Sequence, residues 1–164
     1  MYVKTIYQSP LGAMSLVAGD KGLRGAWFED QKYFEAGLNE EVVLGSHPIL
    51  NSTRLLLDAY FSGEQVDFSD LPLEPVGTDF QEKVWALLKE IPHGQTTSYG
   101  QLARQLGLGS GQAVGGAIGR NPYSIIVPCH RVLNQKGQLT GYAGGLDKKI
   151  WLLQHENPHF EVKK

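Results

Sequence analysis

The chain has 164 residues, 41% of them hydrophobic, and a formal net charge of -2. That is enough apolar material for one sizeable core or two small ones, while no apolar run approaches the ~20 residues that span a bilayer. The opening MYVKTIYQSPLG lacks the apolar centre of a signal peptide. The single cysteine excludes an internal disulfide, and no Cys/His spacing suits a structural zinc ion. A soluble cytoplasmic protein is expected, with no metal, no cofactor and no membrane partner. The charge is unevenly spread: residues 1–78 carry five Lys/Arg against eleven Asp/Glu, and residues 79–164 carry ten against six. An acidic half and a basic half suit a protein that turns one side towards a polyanion.

In chain order, Tyr2–Tyr7 and Met14–Ala18 read as strands around a Pro10-Leu11-Gly12 turn, and Leu23–Phe28 as a third after Asp20-Lys21-Gly22. Asn51 or Ser52 is expected to cap a helix running to about Phe61, closed by Gly63. Leu71–Thr78, with two prolines and a glycine, reads as an interdomain linker, giving domains at 1–73 and 79–164 joined by 74–78. Thr78 or Asp79 then caps a helix to about Glu90, whose Val84, Leu87, Leu88 and Ile91 form a helical stripe. Thr97 or Ser98 starts a helix to about Leu106. Gly107–Gly111 is a glycine-rich turn, and Gln112–Arg120 a short further helix. Two short helices around a tight turn suggest a helix-turn-helix. Ser124–Val127 is expected to be extended, Asn134–Gly137 a hairpin turn, and Leu146–Glu156 a last helix. The fold class is mixed α/β: a small antiparallel sheet domain, then a mostly helical one.

Chemistry centres on Ile125-Ile126-Val127-Pro128-Cys129-His130-Arg131-Val132. A lone cysteine is more often a small core residue than a nucleophile. Here its neighbours favour the second role. Pro128 stiffens the backbone, His130 supplies a base, directly or through a water, and Arg131 adds positive potential that favours thiolate. A third group that orients the base improves it. Glu156 and Asn121 are both candidates, and their spacing does not decide between them.

Pro128-Cys129-His130-Arg131-Val132 resembles the signature of the O6-alkylguanine-DNA alkyltransferases, also called methylated-DNA–protein-cysteine methyltransferases. Further segments fall in that family's order: Phe80-Gln81-Glu82-Lys83-Val84-Trp85, Ile91-Pro92-His93-Gly94, Thr97-Ser98-Tyr99-Gly100-Gln101-Leu102-Ala103, Ala113-Val114-Gly115-Gly116-Ala117, Asn121-Pro122, Gly141-Tyr142-Ala143-Gly144-Gly145 and Trp151-Leu152-Leu153-Gln154-His155-Glu156. Ser9-Pro10-Leu11-Gly12 is similar to the opening of the bacterial members. The resemblance covers nearly the whole chain and is most specific from Asp79 to Glu156.

The resemblance implies an RNase H-like first domain without nuclease chemistry and a winged helix-turn-helix-like second one. It implies direct-reversal DNA repair: a guanine carrying an alkyl group on O6 is flipped out of the duplex, and the alkyl group passes irreversibly to Cys129, once per molecule. His130 would relay the thiol proton through a water, Glu156 would orient His130, and Asn121 would hold the turn before the active-site strand. Tyr99 would rotate the flanking phosphate, and Ile118 would pack on the base. The carbonyls of Cys129 and Val132 would accept from the exocyclic amine. Tyr142 would stack in the pocket, and the Ala143 N–H would approach the oxygen. The partner would be double-stranded DNA, entered through the minor groove by a helix whose Ala113, Gly115, Gly116 and Ala117 give it a narrow face. That groove is only about 6 Å wide. Gln112 and Arg120 would contact DNA from the same helix. A monomer is expected. Cooperativity on DNA, alkyl size and an O4-alkylthymine substrate are not specified.

The sequence departs from the family at two places. Gln112 stands where an arginine usually replaces the extruded base, and Ala143 brings no side-chain oxygen where one is often supplied. Two other functions compete. One is a lesion-binding relative that does not react, although such relatives replace the cysteine and this chain has Cys129. The other is a cysteine hydrolase using Cys129, His130 and Glu156, for which no oxyanion motif is evident.

Overall fold

The computed structural model describes residues 1–163. The chain forms two compact units, Met1–Val76 with Pro122–Ile126, and Gly77–Asn121 with Val127–Lys164. Pro122–Ile126, which lie in the second half of the sequence, thus pack with the first unit.

The first unit is built on a four-stranded sheet. Strands β1 (Tyr2–Ser9), β2 (Gly12–Ala18) and β3 (Leu23–Phe28) form an antiparallel meander. The sheet is not wholly antiparallel as expected, because β4 (Val42–Leu44) pairs parallel with β1, in the order β3-β2-β1-β4. Three residues carry too little alternation to be read as a strand. Leu71–Glu74 do not run free. Leu23 N–H donates to Pro72 O at 2.8 Å and Glu74 N–H to Leu23 O at 2.9 Å, so this stretch edges β3, a position that tolerates proline. Helix α1 (Pro48–Phe61) begins earlier than expected. Its cap is His47, whose Nδ1 accepts from the Ile49 N–H at 3.1 Å, rather than Asn51 or Ser52. Pro48 explains the shift: it needs no partner for an N–H and its φ is preset for a first helical turn.

Ser124–Val127 is also not the expected extended segment. Ser124 N–H donates to Ala26 O at 3.0 Å and its Oγ to Gln31 Oε1 at 2.8 Å. Ile125 then reverses the chain at φ 72°. Ile125, Ile126 and Val127 are apolar because this turn is buried, not because it is a strand.

The second unit starts with α2 (Asp79–Leu88), two residues shorter than expected, under a capping box between Thr78 and Gln81. Trp85 Nε1 donates to Ala117 O at 2.9 Å and ties α2 to the helix-turn-helix. That motif comprises α3 (Tyr99–Gln105), capped by Ser98, and α4 (Gln112–Gly119). Gly107, at φ 74°, closes α3 with Gly107 N–H on Arg104 O and Leu108 N–H on Ala103 O, the paired bonds of a Schellman stop. Strand β5 (Thr97–Ser98) pairs parallel with β6 (Val132–Leu133). Asn134 organises the expected turn: its Oδ1 accepts from the N–H groups of Lys136 and Gln138. Helix α5 (Leu146–Glu156) has the expected bounds and buries Lys149, Leu152, Leu153 and Glu156 along one stripe. Among the described residues, no helix is long and apolar enough to cross a membrane, and no group of three or more His, Cys, Asp or Glu could hold a metal ion.

Candidate active site

Asn121, buried just beyond α4, donates from Nδ2 to Val127 O at 2.9 Å. That bond pins the chain where it re-enters the second unit. The Cys129 N–H turns back onto the same carbonyl at 2.8 Å, around Pro128, and Arg131 N–H reaches Pro128 O at 3.1 Å. The result is a single helical turn, Cys129–Arg131, with all three side chains buried. Cys129 is 4% exposed and His130 is fully enclosed.

Glu156 is the hub of this turn. His130 Nε2 lies 2.7 Å from Glu156 Oε2. Arg131 donates to the same carboxylate twice, from Nε to Oε1 at 2.7 Å and from Nη2 to Oε2 at 2.9 Å, and from Nη1 to Ile91 O at 2.7 Å. Burial alone would raise the Glu156 pKa. The interactions with His130 and with the Arg131 guanidinium override it and hold the carboxyl well below the usual carboxylate range. Burial pushes the His130 imidazole the other way from protonation, below its ordinary value. Glu156 opposes that, and Arg131 and Lys149 reinforce it. His130 is therefore neutral. An ionised Glu156 can only accept, so the one imidazole proton sits on Nε2. Nδ1 is left with its lone pair, and it has no hydrogen-bond partner among the described residues. A buried imidazole with one nitrogen fixed and the other basic is a general base waiting for a proton.

Burial raises the thiol of Cys129. The Asn121 amide, the charge of Lys149 and, to a lesser extent, the Tyr142 side chain oppose this. Asn121 and Glu156, left as alternatives by sequence, thus divide the work: Glu156 on the imidazole, Asn121 on the turn and the sulfur. Arg131 does not play its expected part. Its guanidinium is committed to Glu156 and Ile91, and the cation felt by the sulfur is Lys149. Lys149 is fully buried, its Nζ lies 3.4 Å from Thr140 O, and burial pulls its pKa down to about 8. Sequence reasoning missed it, although a signal was present: Lys149 shares the helical stripe of Leu152, Leu153 and Glu156.

Tyr99 starts α3; burial raises its phenol pKa, the Thr140 hydroxyl opposes this, and an electrostatic interaction with Cys129 adds to the rise. Its hydroxyl meets Thr140 Oγ1 at 3.2 Å. Tyr142 and Ala143 are half-buried in a turn closed by Gly145 N–H on Tyr142 O at 2.9 Å. Val132 is buried in β6, and Ile118 lies on the buried face of α4 with Val114 and Ala117. The opposite face exposes Gln112, Ala113, Gly116 and Arg120. Its glycines are not there for internal packing. A Cβ built on Gly116 or Gly119 meets nothing within 4 Å, and one on Gly115 makes only ordinary contact with the Tyr99 ring.

The Glu156 hub has a pH signature. Its carboxyl is depressed in the folded protein, so its contribution is complete above the unfolded value of about 4.3 and is lost as pH falls below it. Glu156→Gln leaves a buried guanidinium without its counter-charge and should cost about 3–5 kcal/mol in urea unfolding near neutral pH. The gap between wild type and variant should narrow as pH falls below about 4. A gap that stays constant from neutral to acid would contradict an ionised Glu156.

Comparison with known proteins places this geometry in a family. Residues 79–158 match the family model of the 6-O-methylguanine DNA methyltransferase DNA-binding domain, and residues 2–75 match its ribonuclease-like domain. A methylated-DNA–protein-cysteine methyltransferase of Haemophilus influenzae is 40% identical over 153 residues, covering 93% of this chain and 84% of that protein. One from Methanosarcina acetivorans is 39% identical, covering 92% and 96%. Among solved structures, Mycobacterium tuberculosis OGT in complex with DNA superposes with a TM-score of 0.82 at 40% identity, over 96% of this chain and 92% of that one. With a buried cysteine beside an oriented imidazole, and both domains matched in order, the chain belongs to the 6-O-methylguanine DNA methyltransferase family.

Proposed function

We propose that this protein repairs DNA by direct reversal, moving an alkyl group from O6 of guanine to the sulfur of Cys129. The observation that carries the chemistry is the buried Cys129 thiol beside an imidazole whose Nε2 is fixed by Glu156 and whose Nδ1 is free to take a proton. The thiol proton passes to Nδ1 through a water. The sulfur attacks the alkyl carbon, the carbon–O6 bond breaks, and guanine leaves with the electron pair and is protonated. Lys149 and Asn121 favour the thiolate as it forms. The product is a thioether. It has no electrophilic carbonyl for water to attack, so each molecule acts once.

A guanine inside the stack cannot reach a thiol that is 4% exposed, so the nucleotide must be extruded, at a cost of a few kcal/mol. The exposed face of α4 supports entry through the minor groove. Interior glycines weaken a helix by about 1 kcal/mol each relative to alanine. The open space around Gly116 and Gly119 gives that weakness no reason inside the free protein. A close-approaching duplex supplies one. Gln112 would face the orphaned base and Arg120 a phosphate. Tyr99 would meet the rotated phosphate, and Ile118 would pack on the extruded base. Tyr142, the Ala143 N–H and the carbonyls of Cys129 and Val132 would line the base pocket. The protein would act as a monomer in the cytoplasm on double-stranded DNA.

Incubation with free O6-benzylguanine, followed by proteolysis and mass mapping, should find one benzyl group on the Cys129 peptide. Cys129→Ala should lose transfer while keeping DNA binding. No adduct with tight lesion binding would indicate a non-reactive binder, and turnover of an ester or amide would indicate a hydrolase. Gln112→Arg should speed repair of duplex DNA more than reaction with the free base; equal effects on both would remove Gln112 from base extrusion. Gly116→Ala should stabilise the free protein by about 0.4–1 kcal/mol and weaken binding to a lesion duplex. Unchanged duplex affinity would rule out close contact at that face.

A further inference from the structure

We propose that Thr140 is a positioning residue for Tyr99, holding the phenol from behind so that its hydrogen points outward to the extruded nucleotide. The inference rests on the alkyltransferase reading and concerns how that site is set before DNA arrives.

Thr140 Oγ1 donates to the Tyr99 hydroxyl oxygen at 3.2 Å across 41 residues of sequence. The direction matters. A phenol that accepts from threonine still has its own O–H to give, and donation into its oxygen polarises that O–H, strengthening it as a donor. Tyr99 is half-buried, and it lies near enough to Cys129 to interact with it electrostatically.

Thr140 is itself anchored. Its carbonyl accepts from the fully buried Lys149 ammonium at 3.4 Å, and Lys149 is the cation felt by the Cys129 sulfur. The hydroxyl of Thr140 therefore tethers Tyr99 to the frame that serves the nucleophile. The other side of Tyr99 is also restrained. A Cβ on Gly111 would come within 2.7 Å of the Tyr99 Cβ and 3.1 Å of its carbonyl carbon, so the start of α4 lies directly against this residue. The Gly111 backbone thus meets the tyrosine at its Cβ, and Thr140 meets it at its hydroxyl. The arrangement suits a side chain that must already be aimed when a phosphate swings past it.

The test compares two substrates. Thr140→Val keeps the shape and the Lys149 carbonyl but removes the donor, and Thr140→Ser keeps the donor. A net hydrogen bond is worth roughly a fivefold change in rate, so Thr140→Val should slow repair of O6-methylguanine duplex about fivefold more than it slows reaction with free O6-benzylguanine. Thr140→Ser should recover most of that difference. In a Tyr99→Phe background, Thr140→Val should add nothing further on duplex. Equal loss on both substrates, no selective loss on duplex, or full additivity with Tyr99→Phe would overturn the proposal. Absence of any benzyl adduct on the wild-type protein would instead overturn the alkyltransferase reading beneath it.

Discussion

The carboxylate of Glu156 is the interaction on which the rest of the site depends. It is the last residue of α5, where the negative end of the helix dipole disfavours an anion, and it is buried, which disfavours an anion further. Arg131 reverses both penalties with two direct bonds. Only because Glu156 stays ionised does it accept from His130, and only because it accepts there is the other imidazole nitrogen left basic. The Pro-Cys-His-Arg turn is thus a single electrostatic device. The arginine keeps the acid charged, and the acid orients the histidine that follows the cysteine.

The site separates its two cations. Arg131 is neutralised by Glu156 and works on the base side. Among the described residues Lys149 makes no ion pair with a carboxylate; its polar contact is the Thr140 carbonyl, and its field falls on the sulfur. Had one carboxylate satisfied both, the thiol would sit in a field close to neutral. The division lets one turn hold a proton acceptor and favour a thiolate beside it without either charge cancelling the other.

Much of this was legible beforehand, for identifiable reasons. The Pro128–Val132 motif is local, and α5 carries a clean helical stripe bounded by glycine and asparagine, so both could be read residue by residue. The helix-turn-helix was legible from Gly107 and the Ser98 cap. Other features depended on partners distant in sequence. Val42–Leu44 is a strand because β1 lies beside it. Ile125–Val127 looks like a strand in composition but turns because Ala26 and Gln31 hold Ser124. Arg131 was assigned to the thiol because adjacency in sequence cannot show that its guanidinium reaches Glu156, 25 residues away. Lys149 shares the buried stripe of α5, but a lysine there usually runs its stem along the surface, so the stripe alone does not distinguish an enclosed ammonium from an exposed one.

The hydrogen bond between Ser124 and Gln31 spans 93 residues. Contacts so far apart in sequence close late, because loop entropy must be met before they contribute. The Pro122–Ile126 stretch is therefore held on a sheet made from the start of the chain. During synthesis the strands of that sheet emerge before this stretch does, so the template precedes the part it holds.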